Sequence, residues 1–154
     1  MKPGPEQSKL SVFIGKWLTE GEMFEGGRGA ARVTRPIRSI DTYEWLGGGL
    51  VVMHLWDSRI GTEETGGLEL IDYDPERKAY RTRFFDRFGR EGGETLEAHG
   101  RTWTWSGRNV MGAPFHRCNS RVSEDGKTMN GVHERSDDGA TWTRWMEITL
   151  TRMA

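Results

Sequence analysis

His54 lies in the run Leu50-Val-Val-Met-His-Leu-Trp56, the most apolar stretch of the chain. An imidazole placed there has few polar partners, and a single carboxylate brought beside it would orient it and raise its pKa. Folding the chain back about residues 58–66 supplies that group, because it sets His54 near Glu69. The His54–Glu69 pair is thus a candidate general acid or base. The plainer reading is a core histidine satisfied by a polar neighbour. A second group comprises His133 with Arg144 opposite it, and His116 and Cys118 on the adjoining segment. Cys118 facing His133 has the residue types of a nucleophile pair, but nothing supplies a third member to orient them. An inert barrel cysteine fits better. His116, Cys118 and His133 have zinc-ligand chemistry, yet their spacing matches no short ligand motif, so no metal site is expected.

The elements that must position these residues are strands. Asp125-Gly126 and Asp138-Gly139 supply the positive φ angles of tight hairpin turns, flanked by alternating residues from Arg121 to Arg152. Upstream, β-type runs fall at about 16–25, 31–35, 38–46, 50–58, 67–73, 79–87, 91–98 and 101–106, then 114–123, 127–136 and 141–152. Glycine, proline and aspartate clusters punctuate them. Pro36 makes the segments around 31–46 edge-like or bent, and merging those two leaves about ten strands. Short, local connections favour an all-β, up-and-down antiparallel barrel over a sandwich. One short helix precedes it over Pro5–Ile14, with proline near its start, Leu10, Phe13 and Ile14 at helical spacing, and Gly15 as terminator.

Pairing assigns faces. A two-residue loop at His99-Gly100 sets Leu96 opposite Trp103 and turns Leu96, Trp103 and Trp105 inward. In Ala79–Asp86, Arg81 and Arg83 prefer water, which puts Tyr80 and Phe84 inside. A two-residue turn at Asp138-Gly139 pairs His133 with Arg144 and Met129 with Ile148. Met129, His133, Arg144, Met146, Ile148 and Leu150 then share the inner face. A three-residue loop with a glycine bulge would instead set Glu134 opposite Trp142. The first register segregates polarity better. Barrels of about ten antiparallel strands are too wide for side chains to fill. The expected cavity lining is Val52, His54, Trp56, Ile71, Tyr73, Tyr80, Phe84, Trp103, Trp105, His133, Arg144 and Met146, an aromatic pocket with a few polar handles. Gly15-Lys-Trp17 and Arg152 meet where such a barrel closes, and the arginine would stack on the tryptophan.

Bulk properties narrow the classes. At 154 residues, 1–154 is read as a single domain. Lys+Arg 22 against Asp+Glu 23 gives a net charge of -1, so no basic field for nucleic acid or anionic membrane is present. No apolar run approaches the roughly 18 residues of a membrane helix, and Met1-Lys-Pro-Gly-Pro opens no signal region. One cysteine suits a reducing cytoplasm, the expected location. A homodimer through an exposed edge near Pro36 is a further expectation. The glycine clusters are not phosphate loops, since none joins a strand to a helix, and Ser136-Asp-Asp-Gly lacks the later ligands of a calcium loop.

With Phe13-Ile-Gly-Lys-Trp-Leu-Thr-Glu-Gly21, Asp41-Thr-Tyr-Glu-Trp-Leu-Gly-Gly-Gly49, Val52-Met-His-Leu-Trp-Asp57, Leu70-Ile-Asp-Tyr-Asp74, Phe85-Asp86 and Glu134-Arg-Ser-Asp-Asp-Gly-Ala-Thr-Trp142, essentially the whole chain resembles the calycin superfamily. That group holds lipocalins, fatty-acid-binding proteins and nitrobindins. More closely, the chain resembles a bacterial lipocalin-like family of unknown function. The resemblance implies a barrel that binds a small, largely apolar or aromatic ligand, with no cofactor. The alternative it implies is a cyclase- or isomerase-type enzyme using His54 with Glu69. Nitrobindins hold haem through a histidine on the last strands and open with G-x-W-x-G-x-G. Here Thr19 replaces the middle glycine and no histidine follows Ala140, which leaves His133 as the residue to consider. Fatty-acid-binding proteins clamp a carboxylate with an inward arginine near the C-terminus, the place Arg144 takes in the preferred register.

Overall fold

The alternating runs close into a cylinder in the computed structural model of the chain, which describes residues 2–26 and 33–154. Eleven hydrogen-bonded segments among these form ten antiparallel staves: β1 (Gly15–Glu25), β2 (Val33–Trp45), β3 (Val51–Ile60), β4 (Glu63–Asp74), β5 (Ala79–Asp86), β6 (Glu91–Gly92), β7 (Glu94–His99), β8 (Thr102–Val110), β9 (Ala113–Val122), β10 (Thr128–Ser136) and β11 (Thr143–Arg152). β6 and β7 keep one register against β5, with Phe84 opposite Gly92 and Tyr80 opposite Leu96, so they act as one stave. Each stave pairs with its neighbour along the chain, and β1 with β11 closes the ring. The all-β barrel with a short leading helix is the architecture expected. The expected strand start at 31 and the Gly27 side of the first turn lie outside the described residues.

Three local expectations change. The segments around 31–46 are one continuous strand from Val33, unbroken at Pro36, which pairs with Glu22 of β1 and lies just beyond the end of β3. In an antiparallel strand a residue's nitrogen and carbonyl point to the same side. The Pro36 carbonyl accepts from Gly61 N, at 2.8 Å, in the β3–β4 turn, so its missing N–H is aimed where β3 ends. β2 pairs with β1 along its length and with β3 from Ile37 onward. The β7–β8 turn falls on Gly100 and Arg101 rather than His99 and Gly100, so Leu96 faces Trp105 and Ala98 faces Trp103. This shift by two preserves which face is inward. Lastly, the helix reads as α1 (Pro5–Lys9) followed by a 3-10 turn over Leu10–Val12.

That helical segment plugs one end of the barrel. Leu10, Phe13 and Trp17 are fully buried with Tyr43, Val52, Ile71, Tyr80, Leu96 and Trp103 in one apolar cluster. Phe13 meets Trp103 edge-on at 4.8 Å and stacks on Tyr43 at 5.7 Å. The Tyr80 hydroxyl donates to the Glu6 carboxylate at 2.8 Å, tying the plug to the wall.

Closure rests on the expected pair. Trp17 and Arg152 are opposite residues of β1 and β11, with the guanidinium 4.2 Å from the indole ring centre. The same guanidinium donates to the Val12 carbonyl at 3.0 Å, to the Ile14 carbonyl, and to Gly126 O at 3.1 Å. It thereby satisfies carbonyls that the end of the plug leaves unpaired. Gly15, at φ +133°, turns the chain from plug to β1, and a Cβ there would come within 2.6 Å of Arg152. Arg152→Ala should cost about 3 kcal/mol in urea unfolding, from charge-assisted bonds and cation–π contact together. A loss within experimental error would mean that this seam does not hold the barrel shut.

Candidate functional site

Beyond the plug, side chains no longer fill the barrel, and a cavity of about 220 Å³ remains. Its apolar wall includes Trp56, Phe84, Trp105, Met129, Met146 and Ile148. Set into that wall are two buried polar groups on different strands.

The first joins β2, β3 and β4. Tyr43 pairs with His54, and His54 with Glu69, as the strand register dictates. His54 Nε2 lies 2.8 Å from Asp41 Oδ1, and its Nδ1 lies 3.2 Å from Glu69 Oε1. Thr19 donates to the other Asp41 oxygen at 2.6 Å. The Tyr43 ring stacks on the imidazole at 4.0 Å, nearly parallel. Burial alone would lower the His54 pKa. Hydrogen bonds and charge from Asp41 and Glu69 outweigh it and hold the pKa up at about 9. Burial likewise pushes Asp41 upward, but His54, Thr19 and Ser39 overcome it and bring the carboxyl below its ordinary value. At neutral pH His54 is thus an imidazolium with both N–H groups spent on carboxylates. Neither ring nitrogen is free to move a proton for a ligand. Within this group the unengaged acceptor is Glu69 Oε2, for which no partner exists among the described residues.

The second group joins β7, β9 and β10. Glu94 Oε2 lies 2.7 Å from His116 Nδ1, and His116 Nε2 lies 2.9 Å from His133 Nδ1. The side chains of His116 and Glu94 are only 4% and 7% exposed. Burial raises the Glu94 pKa, His116 opposes this, and the Glu69 charge adds to it, so the net direction is upward. Burial and the charge of His116 push His133 down to about 3, so its ring is neutral. His133 Nε2 and Glu94 Oε1 have no hydrogen-bond partner among the described residues. Cys118 pairs with His133 across β9 and β10, as expected, but burial pushes its thiol up to about 12. A thiol that cannot ionise is a poor nucleophile.

Of the residues expected to line the cavity, His54, Trp56, Phe84, Trp105, His133 and Met146 do so, joined by Glu69, the expected partner of His54. Val52, Ile71, Tyr73, Tyr80 and Trp103 also belong to the interior, but pack around the plug at the filled end. Arg144 does not enter. His133 faces Met146 while Glu134 faces Arg144, so Trp145 is an extra residue in β11. That bulge turns Trp145 inward, edge-on to His116 at 5.8 Å, and flips Arg144 outward, where it is half exposed and pairs with Glu147. Neither register weighed from the sequence, His133 with Arg144 or Glu134 with Trp142, is the observed one. Asp41, Thr19 and Glu94 were not among the expected site residues. Strand alternation held the signal for two of them, since Asp41 shares a face with Tyr43 and Glu94 with Leu96.

Above the cavity, on the side away from the plug, lies a wider vestibule of about 660 Å³ that shares Ile60, Thr65 and Met111 with it. Its arginines, Arg35, Arg90, Arg135 and Arg144, are matched by Glu25, Glu63, Asp137 and Asp138. No group of three His, Cys, Asp or Glu among the described residues is arranged to hold a metal ion. No helix among them is long and apolar enough to cross a membrane.

No protein-family model matches this sequence, and no curated protein matches it. Solved structures share the barrel. The crystal structure of Rv2717c from M. tuberculosis superposes with a TM-score of 0.65 at 12% identity, covering 98% of this chain and 99% of that one. At that identity the likeness is one of fold.

The His54 cluster carries a pH signature. Its folded pKa of about 9 lies above the ordinary 6.5, so its stabilisation is complete below about 6.5 and is lost as pH rises through about 9. His54→Leu strands two buried carboxylates and should cost about 3–5 kcal/mol at pH 6. The difference between wild type and variant should narrow steadily toward pH 10. An imidazole NMR titration with its midpoint near 6.5 would show that the carboxylates do not hold the proton.

Proposed function

We propose that this calycin-like barrel binds one small, largely apolar or aromatic molecule in its cavity, within the cytoplasm that its single buried cysteine suits. The observation that carries this reading is the 220 Å³ hole itself, apolar over most of its wall and furnished with unpartnered polar atoms on Glu69, Glu94 and His133. Pockets of that make-up are the usual form of small-molecule sites. An engineered cavity of about 150 Å³ takes benzene, so this one suits a single ring with a short polar arm. Long fatty acids are disfavoured by volume and by the outward Arg144. Haem fits poorly too. The cavity is below the roughly 300–1,000 Å³ of drug-sized sites, and the vestibule is lined by no histidine, cysteine or tyrosine.

Replacing Met146 by Trp should fill the cavity and weaken binding of a small aromatic probe such as indole at least tenfold, read by calorimetry, with the fold retained by circular dichroism. Unchanged affinity would place the probe elsewhere and sink the reading.

A second reading, an acid–base enzyme, is favoured by one observation, and it moves the chemistry away from His54 with Glu69. Glu94, His116 and His133 form a relay that fixes the ring orientation of His133 and leaves its Nε2 free. With the His116 proton on Nδ1 toward Glu94 and the His133 proton on Nδ1 toward His116, the lone pair of Nε2 faces the cavity as a positioned base with a carboxylate behind it, a weak one because its pKa is held down. Small carbon acids such as 5-nitrobenzisoxazole test it: the base takes the ring C–H proton as the N–O bond breaks to give a nitrile and a phenolate. Turnover lost in His133→Gln but kept in His54→Gln would support an enzyme. No rate above buffer in the wild type would exclude this chemistry.

A further inference from the structure

The cavity selects for the charge of its ligand as well as for size. Resting on the cavity-binding reading, we infer that the ligand is a small aromatic or aliphatic amine bound as its ammonium, with Glu69 and Glu94 as its acceptors. The count of charge comes first. Asp41, Glu69 and Glu94 line the cavity, and among the described residues no lysine or arginine does. Three carboxyl groups face the two imidazoles engaged with them, His54 between Asp41 and Glu69 and His116 beside Glu94. His54 cannot help an anion, since both its nitrogens already face carboxylates at 2.8 and 3.2 Å.

Geometry agrees with the count. Glu94 is 93% buried by side chain, counting from 7% exposed, yet only Oε2 is engaged, by His116. Glu69 likewise uses Oε1 alone, on His54. The two carboxylates are close enough for the Glu69 charge to raise the Glu94 pKa. The two free oxygens are open to the cavity rather than sealed in the wall, and together they offer a donor placed there two acceptors. An ammonium brings three N–H groups and a positive charge. Trp56, Phe84 and Trp105 provide the π surfaces on which cations rest favourably. A carboxylate ligand would add repulsion with no cation to meet it. An uncharged alcohol could satisfy one oxygen but would leave the charge unanswered. Among the described residues the mouth does not oppose a cation, because its four arginines are matched by four acids.

The test is a matched series on the intact protein: 2-phenylethylamine, 2-phenylethanol and phenylacetate, with affinities from isothermal calorimetry at pH 7.5. The amine should bind at least tenfold tighter than the alcohol, and phenylacetate weakest of the three. Glu69→Gln and Glu94→Gln should each shrink the amine-to-alcohol ratio at least threefold. Because the ratio is taken within one protein, a change in overall stability does not imitate the effect. If a variant fails to fold, the wild-type series decides alone. Alcohol or phenylacetate binding as tightly as the amine would overturn the amine inference and leave the cavity-binding reading standing. Failure of all three to bind would overturn both.

Discussion

A closed sheet of ten staves encloses more width than the side chains of its own strands can fill. Everything else in this molecule answers that constraint. At one end the answer is a plug: α1 and the following 3-10 turn push Leu10, Phe13 and Trp17 among the inward residues of β2, β3, β5, β7 and β8. The plug in turn needs its last carbonyls satisfied and its exit fixed, which Arg152 does from the opposite terminus of the barrel. First and last strands are thereby locked by the same side chain that caps the plug. At the other end no described residue intrudes, and the cavity is what remains.

The filled and hollow ends use the same kinds of residue, so sequence alone separates inward from outward more readily than full from empty. Alternation placed Val52, Ile71, Tyr80 and Trp103 inside, correctly, but their depth along the barrel depends on how far the plug reaches. Depth follows from strand stagger, which no local pattern records. Register was legible at the β3–β4 hairpin, where His54 faces Glu69 through a tight turn at Gly61. It was illegible around Trp145. A bulge inserts one residue without disturbing composition, yet it exchanges the faces of everything beyond it. Arg144 and Trp145 trade places for that reason. Contacts between strands distant in sequence were also hidden. Glu94 reaches His116 across β8 because both lie opposite Gly107, which has no side chain to part them.

The same side-chain type serves opposite electrostatic ends on the two sides of the cavity. His54 between two carboxylates holds its proton above neutral pH; His133 beside another imidazole sheds it. Desolvation acts in the same direction on both, disfavouring charge. What differs is the neighbour, and the neighbour is set by register: β2 and β4 supply acids to β3, while β9 supplies His116 to β10. One wall is therefore committed, each nitrogen spoken for. The other ends in a bare nitrogen and a bare carboxylate oxygen.

Such an interior is not the arrangement that stability alone would favour. Buried ion pairs rarely repay the desolvation they require, and well-packed apolar residues of equal volume are commonly as stable or more so. The plugged end of this same barrel shows that the fold accommodates an apolar filling. Polar groups confined to the hollow end, with carboxylates outnumbering the cations that could offset them, are a cost concentrated where a ligand can relieve it. A ligand that supplies donors and positive charge turns the unpaired oxygens of Glu69 and Glu94 from a penalty into recognition. The apolar walls then contribute area, and the buried acids contribute choice.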